Sequence, residues 1–152
     1  MRSIIKTSVS AAAVLVAAIL LLMLGTTPAA AADDVSILGY DHKPEDREFN
    51  WAKLHGLTDH NRECVDNEYV RACVQPYGDV FWLRDDEWDA IDVRLWWVDL
   101  DSKRWGVCQS AEGYGDWARC DKNLTNGHLV KWASSWYEDG EWQFSPVQYI
   151  TI

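Results

Sequence analysis

The sequence predicts an all-β protein: an antiparallel β-sandwich or small barrel of about seven or eight short strands, with two disulfides and an irregular N-terminal arm. Three observations lead to this class. From Cys64 onward, apolar residues recur with a period closer to two than to 3.6, which is typical of strands. Turn signals recur about every 8–12 residues. Four cysteines are available for pairing.

Residues 1–32 have the composition of a secretory signal peptide. Two basic residues precede an uncharged apolar run over 11–24, and a run of alanines follows as a site for signal peptidase. An uncleaved membrane anchor fits less well, because the run of about 14 residues is shorter than the ~20 that a spanning helix needs. We expect cleavage after Ala30 or Ala32 and a secreted, extracellular chain without a membrane contact.

The mature chain is expected to be strongly acidic. The whole sequence has 14 basic and 24 acidic residues, and loss of Arg2 and Lys6 leaves 12 against 24, a net charge of −12. Such a surface repels nucleic acid and anionic lipid, so no nucleic-acid partner is predicted. A basic protein partner stays open.

The stretch over 33–62 is predicted as an N-terminal arm, and 63–152 as the β domain. Within the arm, Pro44, Glu45 and Asp46 are suited to opening a short helix that would end before Gly56. The apolar residues of this stretch do not fall on one stripe, so a loosely packed arm is the alternative.

Strands are predicted in order along the β domain, each bounded by a turn signal. They cover 69–75, 80–84, 91–98, 104–108, 117–120, 129–137, 142–144 and 147–152. The strongest turn signals are the Pro-Tyr-Gly-Asp sequence at 76–79, Asn-Gly at 126–127 and Asp-Gly at 139–140. Pro146 confines the last connection to an edge or a bulge.

Aromatic residues supply the candidate binding surface, since the sequence contains ten tryptophans. One face of the strand over 91–98 is continuously apolar and is expected to enter the core, so Trp96 and Arg94 would lie on the opposite face. Trp88 lies in an acidic loop where full burial is not expected. We predict a binding surface of Trp88, Trp96 and Arg94, because aromatic rings supply contact area and polar neighbours fix orientation. The alternative is that further chain covers Trp96 and makes it core.

All four cysteines lie in the exported part of the chain, which predicts two disulfides. Of the three possible connectivities we expect Cys64–Cys73 with Cys108–Cys120. A turn at 113–115, midway between Cys108 and Cys120, would place these two opposite each other in a hairpin. No Cys-x-x-Cys spacing is present, so a zinc site is not predicted.

Acidic residues cluster over 85–89 and at Asp99 and Asp101. Calcium prefers such ligands, but no Asp-x-Asp-x-Asp-Gly loop is present and aspartates are common in turns, so neither a metal nor a cofactor is predicted. No catalytic residue is assigned. The sequence predicts a secreted, non-enzymatic binding or interaction module for an extracellular glycan or protein. A secreted hydrolase with paired carboxylates and a secreted enzyme inhibitor are the alternatives.

The stretch over 71–85, Arg-Ala-Cys-Val-Gln-Pro-Tyr-Gly-Asp-Val-Phe-Trp-Leu-Arg-Asp, resembles a segment of small secreted disulfide-containing proteins of streptomycete-type actinobacteria. Trp-Ala-Arg-Cys at 117–120 and Gly-His at 127–128 resemble the same group, and the similarity covers 64–137. The resemblance implies export, disulfides and a β-fold, and it carries no activity. The higher tryptophan and acid content of this chain implies a different partner.

Overall fold

The computed structural model describes residues 46–152. The expected signal peptide, its cleavage site and the first part of the arm, through Glu45, lie outside the described residues. The described chain forms eleven β-strands and no α-helix. The strands are β1 Glu48–Trp51, β2 Lys53–Leu54, β3 Glu63–Asp66, β4 Val70–Gln75, β5 Val80–Asp85, β6 Val93–Asp99, β7 Trp105–Ser110, β8 Trp117–Asp121, β9 Leu129–Glu138, β10 Glu141–Phe144 and β11 Gln148–Thr151.

The strands form two sheets and no closed barrel, so the sandwich alternative of the predicted class is confirmed. Sheet A has six strands in the order β1-β7-β6-β9-β10, with β11 also paired to β9. Sheet B has five strands in the order β2-β8-β5-β4-β3. All strand pairs are antiparallel except β1 and β7, which run parallel at the edge of sheet A.

The eight strands predicted from the sequence correspond to β4 through β11, with ends that differ by a few residues. Local turn chemistry explains this agreement. Asp139 and Gly140, which connect β9 and β10, have φ of 53° and 88°, the two left-handed residues that a two-residue hairpin turn requires. Pro146 lies in the bulge between β10 and β11, both of which pair with the same long strand β9.

The short helix predicted over Pro44 to Gly56 is wrong for the described residues, where β1 and β2 lie instead. The hydrogen-bond partners of β1 belong to β7, more than 50 residues later in the chain, so no local pattern reports them. Close approach of these strands depends on Gly106. A Cβ atom at that position would lie 2.2 Å from the carbonyl oxygen of Glu48. β3 was also not predicted, because three of its four residues are exposed and it has no clear apolar alternation.

The chain changes sheets between β1 and β2. β1 pairs with β7 in sheet A, and β2 pairs with β8 in sheet B. Ala52, between them, is buried and donates its N–H to the carbonyl of Gln109 at 2.7 Å. This segment therefore joins the two sheets along one open side of the sandwich.

The main core fills the space between the sheets. From sheet A it receives the face of β6 that carries Val93, Leu95 and Trp97, as alternation along this strand predicted. From sheet B it receives Phe81, whose ring lies 5.7 Å from that of Trp97. Trp132 of β9 belongs to the same core and is fully buried.

Both predicted disulfides are present, but the geometric reason given for one of them is wrong. Cys64 and Cys73 are directly opposite each other on the neighbouring strands β3 and β4. Cys108 and Cys120 were expected to face each other across a hairpin. They lie instead on β7 of sheet A and β8 of sheet B, so their bond connects the two sheets through the core.

Two disulfides without a free cysteine are typical of proteins that fold in an oxidising compartment. Within residues 46–152, no helix has the length and apolar character needed to cross a membrane.

Candidate binding groove beside Trp88 and Tyr114

The described residues include all ten tryptophans, and two of them are exposed. Trp88 is 85% exposed and Trp51 is 55% exposed. The other eight are buried or partly buried. Trp82 is an example on the outer face of sheet B: the guanidinium of Arg119 and the ring of His55 cover it, at 5.6 and 5.8 Å between ring centroid and group. Trp88 is therefore the tryptophan with most of its surface available for contact.

Trp96, predicted to be exposed, is buried, with 2% of its surface accessible. Its ring belongs to a second apolar cluster on the outer face of sheet A, with Trp105 and Val107 from β7 and Ala133 from β9. Its indole N–H donates to Ser135 Oγ at 3.0 Å. The pattern along β6 alone could not report this, because the apolar neighbours come from the strands on either side.

Arg94, the third predicted binding residue, is on the same outer face and not beside Trp88. Its guanidinium lies 3.7 Å from the ring centroid of Trp142, and its Nε donates to Gln109 Oε1 at 2.9 Å. Gln109 in turn donates to Asp92 Oδ2 at 2.6 Å. A chain of hydrogen bonds through Gln109 thus connects Arg94 to Asp92, which lines the groove beside Trp88.

Trp88 borders a groove of about 330 Å³ at the end of the sandwich where β5 leaves sheet B. Across it lies Tyr114, half-exposed, from the connection between β7 and β8. The two rings meet edge to face, with centroids 5.7 Å apart and planes at 63°. The sequence predicts a turn at 113–115, but no role was predicted for Tyr114. Its placement between two glycines in a turn was the available signal for exposure.

Turn hydrogen bonds hold both walls of the groove. Asp85 Oδ1 accepts the N–H of Glu87 at 2.9 Å, and Asp89 Oδ1 accepts that of Ile91 at 2.8 Å, so each aspartate stabilises a turn in the loop that carries Trp88. The carbonyl of Asp85 accepts the N–H of Gly115 at 2.7 Å. That bond fastens the Tyr114 connection to the end of β5, so the two aromatic walls are positioned by the same residue.

Within residues 46–152, four carboxyl groups and no basic residue line the groove; the acids are Asp85, Glu87, Asp92 and Glu112. Burial raises the pKa of Asp85, and the charges of nearby aspartates add to the effect. The pKa of Glu87 is raised for the same two reasons. The acids therefore repel one another, and a positive charge placed among them would relieve that repulsion.

Other cavities carry weaker signals for a ligand. One of them, about 540 Å³, is bordered by the stacked rings of Tyr69 and Trp136. Both polar ends of this pair already donate to Glu138, so the pair connects the residue before β4 to β9. Two cavities of about 330 Å³ lie against Arg71 and Arg119, whose guanidinium groups are paired with neighbouring aspartates.

A cluster of Asp99, Asp101 and His128, with ligand atoms within 4.8 Å of one another, has the residue types to hold a metal ion. Both carboxylate oxygens of Asp99 and one of Asp101 already accept hydrogen bonds. Asp99 accepts hydrogen bonds from Ser102 Oγ at 2.6 Å and His128 Nδ1 at 2.9 Å, and Asp101 accepts the N–H of Leu129 at 2.8 Å. Burial would raise the pKa of Asp99, but the bonds from Ser102 and His128 outweigh it, and the pKa lies below its usual range. The cluster is a network that shapes the β6–β7 turn.

No protein-family model, curated protein or solved structure matches this chain.

Proposed function

We propose that this protein is a secreted, non-enzymatic binding module that contacts an extracellular glycan or protein through the groove between Trp88 and Tyr114. The observation that carries the proposal is the exposure of Trp88, 85%, at the rim of a cavity. A soluble protein gains nothing in folding from a tryptophan in that position, whereas rigid aromatic rings dominate the energetics of recognition sites.

Further support comes from the rigidity of the walls. Hydrogen bonds from Glu87 and Gly115 to Asp85 hold the loops that carry the two rings, so little conformational entropy would be lost on binding. A volume of about 330 Å³ is enough for one side chain or one sugar ring. Export is supported by the signal-peptide pattern over 1–32, by the two disulfides, and by the resemblance to secreted actinobacterial proteins.

The test is a glycan and protein array probed with the mature protein and two variants. Trp88→Ala removes the groove wall, and Tyr77→Ala removes an aromatic side chain that is 81% exposed and does not line the groove. We expect both variants to retain stability within about 0.5 kcal/mol, as surface changes usually do. Array signals should persist in Tyr77→Ala and disappear in Trp88→Ala. Equal signals from wild type and Trp88→Ala would contradict the proposal.

A hydrolase is the second candidate, and the raised pKa of Asp85 is the observation that favours it. A general acid must hold its proton near the working pH, and burial moves this carboxyl in that direction. If a ligand found on the array is cleaved by the wild type and left intact by Asp85→Asn, the hydrolase replaces the binding module. Recovery of unmodified ligand from the wild type would rule against the hydrolase.

A further inference from the structure

We propose that the Trp88–Tyr114 groove selects a cation, namely the side chain of an arginine or lysine displayed on a basic extracellular protein. This inference rests on the proposed function, because it names the ligand class of the same groove. It is carried by three features of the groove: an excess of carboxyl groups, an exposed aromatic face and an apolar floor.

The first feature is an excess of carboxyl groups. Asp85, Glu87, Asp92 and Glu112 line the groove, and none of its described lining residues is basic. Asp85 is 6% exposed, and its Oδ1 accepts the N–H of Glu87. A guanidinium or ammonium group placed among these acids supplies several donors and the opposite charge at once.

The second feature is the aromatic wall. A cation is attracted to the face of an aromatic ring, and tryptophan is the best of the three aromatic residues for this interaction. The protein already makes such contacts internally, as between Arg94 and Trp142, whose guanidinium and ring centroid are 3.7 Å apart. Trp88 is bordered by acids and has no cation over its ring among the described contacts, so an external cation can take that place.

The third feature separates a peptide side chain from an amino sugar. The groove is also lined by Ala90, Ile91 and Ala111, which form an apolar floor. Lysine and arginine carry a charged head on an apolar stem, so the stem can cover the floor while the head reaches the acids. An amino sugar has polar groups around its whole ring and would leave those groups against apolar surface.

Long-range electrostatics favour the same partner. After loss of the signal peptide the chain has a net charge of −12, which attracts a basic protein and accelerates its encounter with the groove. A neutral glycan gains nothing from this field.

The experiment is isothermal titration calorimetry of the disulfide-intact mature protein against synthetic Gly-Ser peptides that carry arginine, lysine or citrulline. Citrulline matches arginine in shape but is uncharged. Chitosan and chitin oligomers are the carbohydrate probes. The variants are Glu87→Gln with Glu112→Gln, which removes two charges with little change of shape, and Trp88→Ala, with Tyr77→Ala as the matched control.

We expect the arginine and lysine peptides to bind, and the citrulline peptide to bind roughly tenfold or more weakly. The variant with Glu87→Gln and Glu112→Gln should bind the arginine and lysine peptides roughly tenfold more weakly than wild type does. Added salt should weaken binding of these peptides to the wild type. Equal affinity for citrulline and arginine peptides overturns the inference. The inference is also overturned if chitin oligomers bind in a way that depends on Trp88 but is unaffected by Glu87→Gln with Glu112→Gln. The proposed function survives that result. If chitosan binds as tightly as the arginine and lysine peptides, the assignment of the ligand as a peptide side chain is overturned. If none of the probes shows binding that depends on Trp88, the inference fails, and the array comparison of wild type with Trp88→Ala decides the proposed function separately.

Discussion

Removal of the Cys108–Cys120 bond should destabilise this protein more than removal of the Cys64–Cys73 bond. The perturbation is a pair of double variants, Cys108→Ala with Cys120→Ala and Cys64→Ala with Cys73→Ala. The two bonds close loops of similar length, with sequence separations of 12 and 9. Loop entropy alone therefore predicts nearly the same loss for each, about 3 kcal/mol.

The structure separates the two cases by burial. Cys108 and Cys120 are both buried between the sheets, at 0% and 4% exposure, whereas Cys64 is exposed. Each buried sulfur replaced by hydrogen loses transfer free energy comparable to a methylene, about 0.8 kcal/mol, and leaves a void that adds to the cost. We therefore expect a loss of about 5 kcal/mol for the inter-sheet bond and about 3–4 kcal/mol for the bond within sheet B.

The assay is urea unfolding followed by tryptophan fluorescence, with non-reducing peptide mapping to confirm that the other bond has formed in each variant. Domains of this size have free energies of unfolding of about 5–15 kcal/mol, so the inter-sheet variant would be close to unfolded if the wild type lies at the lower end. Equal losses, or a larger loss for Cys64 and Cys73, would refute the placement of Cys108–Cys120 between the sheets.

Two further predictions concern the contact between β1 and β7. Gly106→Ala should lower the free energy of unfolding by about 1–3 kcal/mol, because its Cβ would meet the backbone of Glu48 at 2.2 Å. Gly113→Ala, where nothing lies within 4 Å of a new Cβ, is the control in the same urea titration, and equal effects would contradict the close approach. Glu48→Gln should cost about 1 kcal/mol at neutral pH. Burial would raise the pKa of Glu48, but Arg104 and Lys122 outweigh it and lower the pKa, so the carboxylate stabilises the fold at neutral pH and this contribution is lost as the pH falls through the lowered value. The difference between wild type and Glu48→Gln in urea should accordingly shrink in acid, and a constant difference would argue against the ion pair.

Sequence alone was sufficient for the strands from β4 to β11 and for the turns at 76–79 and 139–140. These features depend on neighbours in the chain. Alternation places apolar residues on one face, and the Asp-Gly pair at 139–140 supplies the positive φ values of a tight hairpin. The pairing of Cys108 with Cys120 was predicted correctly from a hairpin that does not exist, which shows that a correct pairing does not establish the geometry behind it.

The candidate site was predicted only in part. Trp88 was identified from its acidic loop, since charged neighbours disfavour burial. Tyr114 and Glu112 were not assigned, because they reach the groove from a connection more than 20 residues away, held there by the bond from Gly115 N–H to the carbonyl of Asp85.

Tertiary structure alone decided which strands share a sheet, and therefore which aromatic residues are buried and which are exposed. Trp96 and Trp97 alternate along β6 as the sequence predicts, yet both are buried, because Val107 and Ala133 on the adjacent strands make the outer face apolar as well. β1 forms a strand because it pairs with β7, and Gly106 of β7 has no Cβ that would prevent the backbone of Glu48 from approaching. In each case the deciding contact joins residues far apart in the chain, and the free energy of that contact has no signature in the local sequence.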